Sequence, residues 1–184
     1  MSLQACADIV AKGDPDRFAA AMAAPVVART VLFPLYAFNV EVTRAAWIAL
    51  EPMIGEMRLQ WWRDVLDEIA TGKPVRSHEV STPLAEVLEP TSAQALDKLV
   101  QARRWDLYTD PFEDEDHLLE YLDATGGALM WAAAYRLGAP AEAEEVVRRL
   151  GQATGIVRFM AAVSELEARG RVPLLEGRPD GVRA

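Results

Sequence analysis

Three carboxylates in the string LQWWRDVLDEI, Asp64, Asp67 and Glu68, stand at i, i+3 and i+4. On a helix that spacing puts all three on one face, the arrangement that could gather magnesium around a diphosphate. Arg63 lies one turn before Asp67, so a solvated face laced by local ion pairs is the simpler reading and is preferred. Asp64, Asp67 and Glu68 are kept as alternative metal ligands. A second acidic run, Glu113-Asp114-Glu115-Asp116, is consecutive. Neighbouring helical residues do not converge on one point, so this run reads as an acidic first turn matched to the helix dipole. His78 and His117 form no HxxH or HExxH, and no nucleophile motif adjoins either, so zinc hydrolysis and triad chemistry lack support. The lone Cys6 excludes an intramolecular disulfide and a CxxC framework, leaving a packed or idle thiol. Arg103 interrupts the stripe Leu96, Val100, Leu107; a snorkelling arginine is preferred over one that lines a groove.

The elements that must position these residues are helices. From Met53 to Ala70 the apolar residues Ile54, Met57, Trp61, Val65 and Ile69 mark one face, with Pro52 at a first helical position and Gly72 just past the end. Thr91 and Gln94 read as a capping box. Between Ala141 and Glu167 the residues Val146, Leu150, Ala153, Val157 and Met160 form another stripe. The segment Val26 to Leu50 is apolar on nearly all sides, as the middle helix of a bundle is, and Pro34 starts or kinks it. Thr125-Gly126-Gly127 interrupts a further helical pattern, where glycines permit close helix contact or a bend. Gly72 to Thr82 reads as a loop, and Gly170 to Ala184 as a frayed tail. No alternating run suggests a sheet, so the expectation is one all-α domain over 1–184.

The 184 residues, 51% apolar and 26% charged, suffice for a real core. A net charge of −9 argues against a general nucleic-acid binder. No stretch reaches the roughly eighteen consecutive apolar residues of a membrane span, and no signal peptide is apparent. A soluble cytoplasmic domain that does not cross the membrane is expected.

Five strings occur in order: DPDRF, LYAFN, GEMRLQWWRDVLDEIATGKPV, Tyr121 to Thr125-Gly126-Gly127-Ala128, and LGQATGIVRFMAAVSELEARGRV. Together, from about Asp14 to Val172, they resemble the squalene/phytoene synthase family of head-to-head prenyl transferases, with 173–184 left as a tail. The resemblance implies an isoprenoid-synthase-type bundle around a deep apolar cavity. It also implies condensation of two prenyl diphosphates by magnesium ions held between two acidic motifs. Tyr36, Phe38, Trp61 and Trp131 are the candidate lining residues, for a prenyl chain, a quinone-like tail or a lipid.

Those acidic motifs are degenerate. The first family motif falls on Thr43, Arg44 and Trp47, and the second on Ala162, Glu165 and Leu166. One carboxylate cannot assemble a magnesium cluster. Losing even one well-placed electrostatic contact costs roughly 3–4 kcal/mol of barrier. No catalytic residue, cofactor or metal is therefore expected; magnesium enters only if Asp64, Asp67 and Glu68 substitute. The pattern resembles a non-catalytic branch of the family that includes a mitochondrial assembly factor for respiratory complex I. That resemblance implies a protein partner, either a respiratory-chain client at the inner membrane surface or an active prenyl synthase. The family runs on for several helices past Arg171. The expectation is a bundle lacking its C-terminal helices, with exposed apolar surface there, and Trp47 either leaves the cavity open or closes it.

Overall fold

A computed structural model describes residues 2–48 and 51–170. Among these residues the chain is helices joined by loops and contains no strand. Nine α-helices follow in order: α1 Leu3–Gly13, α2 Pro15–Ala23, α3 Val26–Trp47, α4 Pro52–Thr71, α5 Ser81–Val87, α6 Pro90–Ala102, α7 Glu115–Leu122, α8 Ala128–Arg136 and α9 Glu144–Ala168. Short helical turns cover Arg103–Leu107, Asp123–Gly127 and Ala141–Ala143, the second of them a π turn.

The central element is α3, packed against α1, α2, α4, α5 and α8. Leu32, Phe33, Leu35, Phe38, Val40 and Val42 are all buried, which occupies every side of the helix. Pro34 does not start it: the helix opens after Pro25 and runs through Pro34 to Trp47, while Leu50 lies outside the described residues. An internal proline costs about 3 kcal/mol, and burying two or three large apolar side chains offsets that. Between Val26 and Ala45 this helix has the length and apolarity of a membrane span, yet most of it is covered by its neighbours, as a core helix is.

Several boundaries follow from local chemistry. Asp14 ends α1 and caps α2, accepting from the Arg17 backbone N–H at 3.1 Å ahead of Pro15 at the first helical position. Gly72 ends α4 in the left-handed region, φ 67°. Asp114 caps α7 through the His117 backbone N–H at 2.8 Å, so the acidic run is a first turn. The expected capping box does not form. Pro90 opens α6 after Glu89 with no side-chain cap, which places Thr91 inside the first turn. The loop after Gly72 ends sooner than expected, at Ser81, where α5 begins.

Two apolar stripes read from the sequence turn differently from expectation: in α4 Val65 and Ile69 face inward but Ile54 and Met57 face outward, and in α9 the whole stripe faces outward. In α4 the buried residues are Gly55, Leu59, Trp62, Val65, Leu66 and Ile69, while Met57 is 69% exposed. In α9 the stripe is exposed throughout, with Val146 at 71% and Val157 at 68%, and Leu150, Ala153 and Met160 also outside. The inward residues of α9 are Gly151, Val163 and Leu166, with half-buried Gly155 and Phe159 between them. The reason is the closeness of the approach. A Cβ on Gly126 would stand 2.5 Å from the Gly151 carbonyl oxygen, and one on Gly151 would stand 2.6 Å from that of Gly126. The π turn at Asp123–Gly127 and α9 meet backbone to backbone, so the glycine face turns in and the bulkier face turns out.

A main core surrounds α3, and a smaller aromatic cluster gathers Phe112, Tyr121 and Leu122 with Trp105 and Phe159. Cys6 is fully buried in the main core, its thiol donating to the Glu79 carbonyl at 3.6 Å.

Candidate functional site

A cavity of about 390 Å³ opens where the α1–α2 corner, the C-terminal half of α3, the Arg103–Leu107 turn, the π turn and the middle of α9 meet. Four of the five strings singled out in the sequence converge here. Asp14 and Arg17 come from DPDRF, Asn39 from LYAFN, Thr125 and Gly126 from the glycine pair, and Arg158 and Phe159 from the last string.

At one end two guanidinium groups share a carboxylate. Arg158 donates to Asp14 through both terminal nitrogens, at 2.6 and 3.1 Å, and Arg17 donates to the same carboxylate at 2.6 Å. The Arg17 guanidinium also lies 5.5 Å from the Tyr36 ring centre. Burial opposes the Asp14 charge, but the hydrogen bonds from Arg158 and Arg17 outweigh it and hold the carboxyl below its usual range. Burial, and then repulsion from Arg158, lower the pKa of Arg17.

Deeper in, Arg103 donates to Asp106 at 3.0 Å and to the Tyr121 hydroxyl at 2.7 Å, and that hydroxyl donates to Asp106 at 2.8 Å. Burial disfavours the Arg103 charge, but Tyr121 and Asp106 more than offset it, and its pKa is raised. Arg103 is therefore no snorkelling surface residue. It closes a polar triad on the cavity wall, because Asp106 and Tyr121 supply the partners a buried guanidinium requires.

Thr43, Arg44 and Trp47 from α3 and Ala162 and Leu166 from α9 line this same cavity. Glu165 does not. It accepts from Arg169 at 2.7 Å outside the wall, while Arg169 also donates to the Trp47 carbonyl at 3.1 Å and lies 4.6 Å from its ring centre. At these positions the wall presents a hydroxyl, a guanidinium, an indole and two aliphatic side chains. Among the described residues, no group of three or more His, Cys, Asp or Glu side chains is placed to hold a metal ion.

A model of the squalene/phytoene synthase family matches residues 10–174. The chain belongs to this family. The bundle is accordingly of the all-α isoprenoid-synthase type. Among curated relatives, the Drosophila melanogaster homolog of NADH dehydrogenase (ubiquinone) complex I assembly factor 6 is 29% identical over 92% of this chain and 53% of its own length. The Bos taurus and Homo sapiens complex I assembly factor 6 proteins are 26% and 25% identical over 91% of this chain and 51% of their own lengths. The chain spans about half the length of these relatives.

The other residues singled out in the sequence fall elsewhere. Asp64, Asp67 and Glu68 do share a face of α4, on a groove of about 570 Å³ apart from the cavity, but cations of the following loop occupy them. Glu68 accepts from Arg76 side-chain nitrogens at 2.6 and 2.9 Å, which with the Arg76 backbone N–H holds its carboxyl below the usual range. Asp64 accepts from Gln60 at 2.8 Å and Asp67 from Lys73 at 3.0 Å. Arg63 turns away from Asp67 to pair with Asp97 on α6, at 2.7 and 3.1 Å.

The four aromatic candidates are not brought together. Tyr36 stands beside Arg17 but off the cavity wall, and Phe38 is buried in the core edge-on to Trp62. Trp61 lines a separate groove with His78 and Arg44, and Trp131 packs on Tyr135 in α8. His117 sits edge-on to Phe112, its Nδ1 accepting from the Glu113 N–H at 3.3 Å.

Sequence reasoning passed over Asp14, Arg17 and Arg158 as a cluster. Asp14 and Arg158 are 144 positions apart, and only tertiary contact unites them. One signal was present: Arg158 stands between Gly155 and Phe159 on the glycine face of α9, where a solvated arginine does not belong.

Proposed function

We propose that this is a non-catalytic squalene/phytoene synthase-like protein, 1–184 working as one domain, that acts by binding as a factor in respiratory complex I assembly. The observation that carries this reading is the make-up of the cavity wall at the family's acidic positions. Thr43, Arg44, Trp47, Ala162 and Leu166 line it, and the one remaining carboxylate, Glu165, is engaged outside with Arg169. Magnesium ionisation of a prenyl diphosphate needs oxygen ligands at that wall, and a guanidinium there repels the metal. The names of the assembly-factor relatives support the partner class. The exposed apolar face of α9 supports a protein interface, since contiguous exposed apolar surface commonly marks one. In this reading the protein works on the cytoplasmic side, peripherally at the inner membrane, without a cofactor and without nucleic acid.

Affinity purification of the full chain from its native cell, followed by mass spectrometry, tests the reading, and recovery of complex I subunits is the expected result. Recovery of an isoprenoid enzyme instead would replace the client with a prenyl synthase. Labelled farnesyl or geranylgeranyl diphosphate with magnesium should give no turnover. Turnover abolished by Asp64→Ala would overturn the non-catalytic reading and restore an active prenyl transferase.

A further inference from the structure

The string from Phe18 to Ala28, FAAAMAAPVVA, runs for eleven residues without a charged or hydrogen-bonding side chain, in a chain that is 26% charged. It ends α2, turns at Ala24 and Pro25, and opens α3. Phe18 stacks on Phe33 with ring centres 5.7 Å apart, which packs one helix on the other and fixes the corner. Ala21 and Ala28 are buried beneath it, while Met22, Ala23, Pro25, Val26 and Val27 face out. Val27, at 78%, is the most exposed large apolar side chain among the described residues, and Val26 stands at 72%. Side chains this exposed project from the surface and line no groove. The corner also covers part of its own polar backbone. Arg29 turns back from α3 and donates to the Met22 carbonyl at 2.7 Å and the Ala24 carbonyl at 3.4 Å, acceptors that the end of α2 leaves free. Thr30 Oγ1 donates to the Val27 carbonyl at 2.7 Å, and Pro25 has no N–H to satisfy. Arg29 is the one charged residue between Arg17 and Glu41, and its guanidinium is spent on carbonyls. On α2 the carboxylates Asp14 and Asp16 stand at the opposite end of the helix.

We propose that the α2–α3 corner is where this protein touches a lipid bilayer, with Met22, Val26 and Val27 seated at the boundary between headgroups and acyl chains and Arg29 at headgroup level. A protein interface carries about one hydrogen bond per 100–200 Å² of contact, and the string from Phe18 to Ala28 has no side chain to make one. The acyl boundary asks for none and rewards apolar area alone. A corner held by packed helices meets it already formed, so seating three side chains orders nothing further. The net charge of −9 opposes adsorption to an anionic surface, so apolar insertion and not charge supplies the affinity.

The inference deepens the membrane-peripheral part of the functional reading and rests on it, and the experiment keeps it apart from the assembly role. Flotation of the full chain with phosphatidylcholine vesicles should carry it into the lipid fraction, equally at low and at high salt. Val27→Asp replaces a solvent-facing side chain, so Tm should stay within about 1 °C while vesicle affinity falls about tenfold or more. An environment-sensitive thiol-linked fluorophore on Val27→Cys should brighten with vesicles, and the same fluorophore on Val146→Cys, on the exposed face of α9, should not; Cys6 is buried and stays unlabelled. No flotation, flotation unchanged by Val27→Asp, or an equal response from both labelled positions would overturn the proposal. A crosslinker on Val27→Cys that joins a complex I subunit, with no response to vesicles, would also overturn it and give the corner to a protein. Failed flotation by a chain that still recovers complex I subunits removes the bilayer contact and leaves the assembly reading standing. Flotation lost in Val27→Asp, by a chain that recovers no such subunit, does the reverse.

Discussion

Replacing Gly151 by alanine tests the contact that orients α9. The added Cβ would meet the Gly126 carbonyl oxygen at 2.6 Å, the Gly127 Cα at 2.7 Å and the Gly126 carbonyl carbon at 2.9 Å. All three are backbone atoms of a π turn held on its far side by α6, α7 and α8, so none can step aside cheaply. Overpacking of this kind costs about 1–3 kcal/mol, and more when backbone must move. Against it stands the helix propensity of alanine over glycine, about 1 kcal/mol in favour. Taking the cost at its upper end, the net loss is about 2 kcal/mol, which in a domain of this size lowers Tm by roughly 4–8 °C. Gly155→Ala is the paired control. There the nearest atom is Leu122 Cδ2 at 3.3 Å, the far end of a flexible side chain, and the propensity gain should leave stability unchanged or raise Tm by about 2 °C. Thermal unfolding followed by far-ultraviolet circular dichroism reads both variants. A Gly151→Ala protein as stable as the parent would refute the backbone-to-backbone contact, and with it the reason given for the exposed face of α9.

The same reasoning gives further expected outcomes. Leu150→Lys and Val157→Lys should each leave Tm within about 1 °C of the parent, because both side chains already face solvent; a drop of several degrees would show that this face is covered in solution. Asp14→Asn should destabilise the fold by about 2–4 kcal/mol in denaturant titration, since it leaves Arg17 and Arg158 facing each other; the figure is reduced from a fully buried pair because Arg158 is partly solvated. The Asp14 pKa is lowered in the folded state, so its contribution is present above the unfolded carboxylate pKa and is lost as pH falls through the folded value. Stability measured from pH 7 down to 3 should therefore fall less steeply in the Asn variant. Cys6, its pKa raised to about 11 by burial and then by the Glu79 charge, should resist iodoacetamide at pH 8 and react on unfolding in denaturant.

Much of the architecture was legible because it depends on local chemistry. The all-round apolarity of α3, Pro52 and Gly72 bounding α4, and the capped acidic turn at Asp114 are written in consecutive residues, and the folded chain keeps them. The Thr91 cap failed because Pro90 is the stronger first-turn residue and moved the start of α6 ahead of it.

Which face of a helix turns inward was decided elsewhere. Periodicity names the most apolar face, and in α9 that is Val146, Leu150, Val157 and Met160. The fold instead turns in the face carrying Gly151 and Gly155, because two backbones in direct contact leave room only for hydrogen at the crossing. That rotation carries Arg158 inward with the glycines and brings it to Asp14, 144 positions away. The sequence alone determined that this chain is a helical bundle of its family. The charged cluster that now occupies the cavity exists only through the close approach of α9 to the π turn, a property of the assembled helices and of no single one.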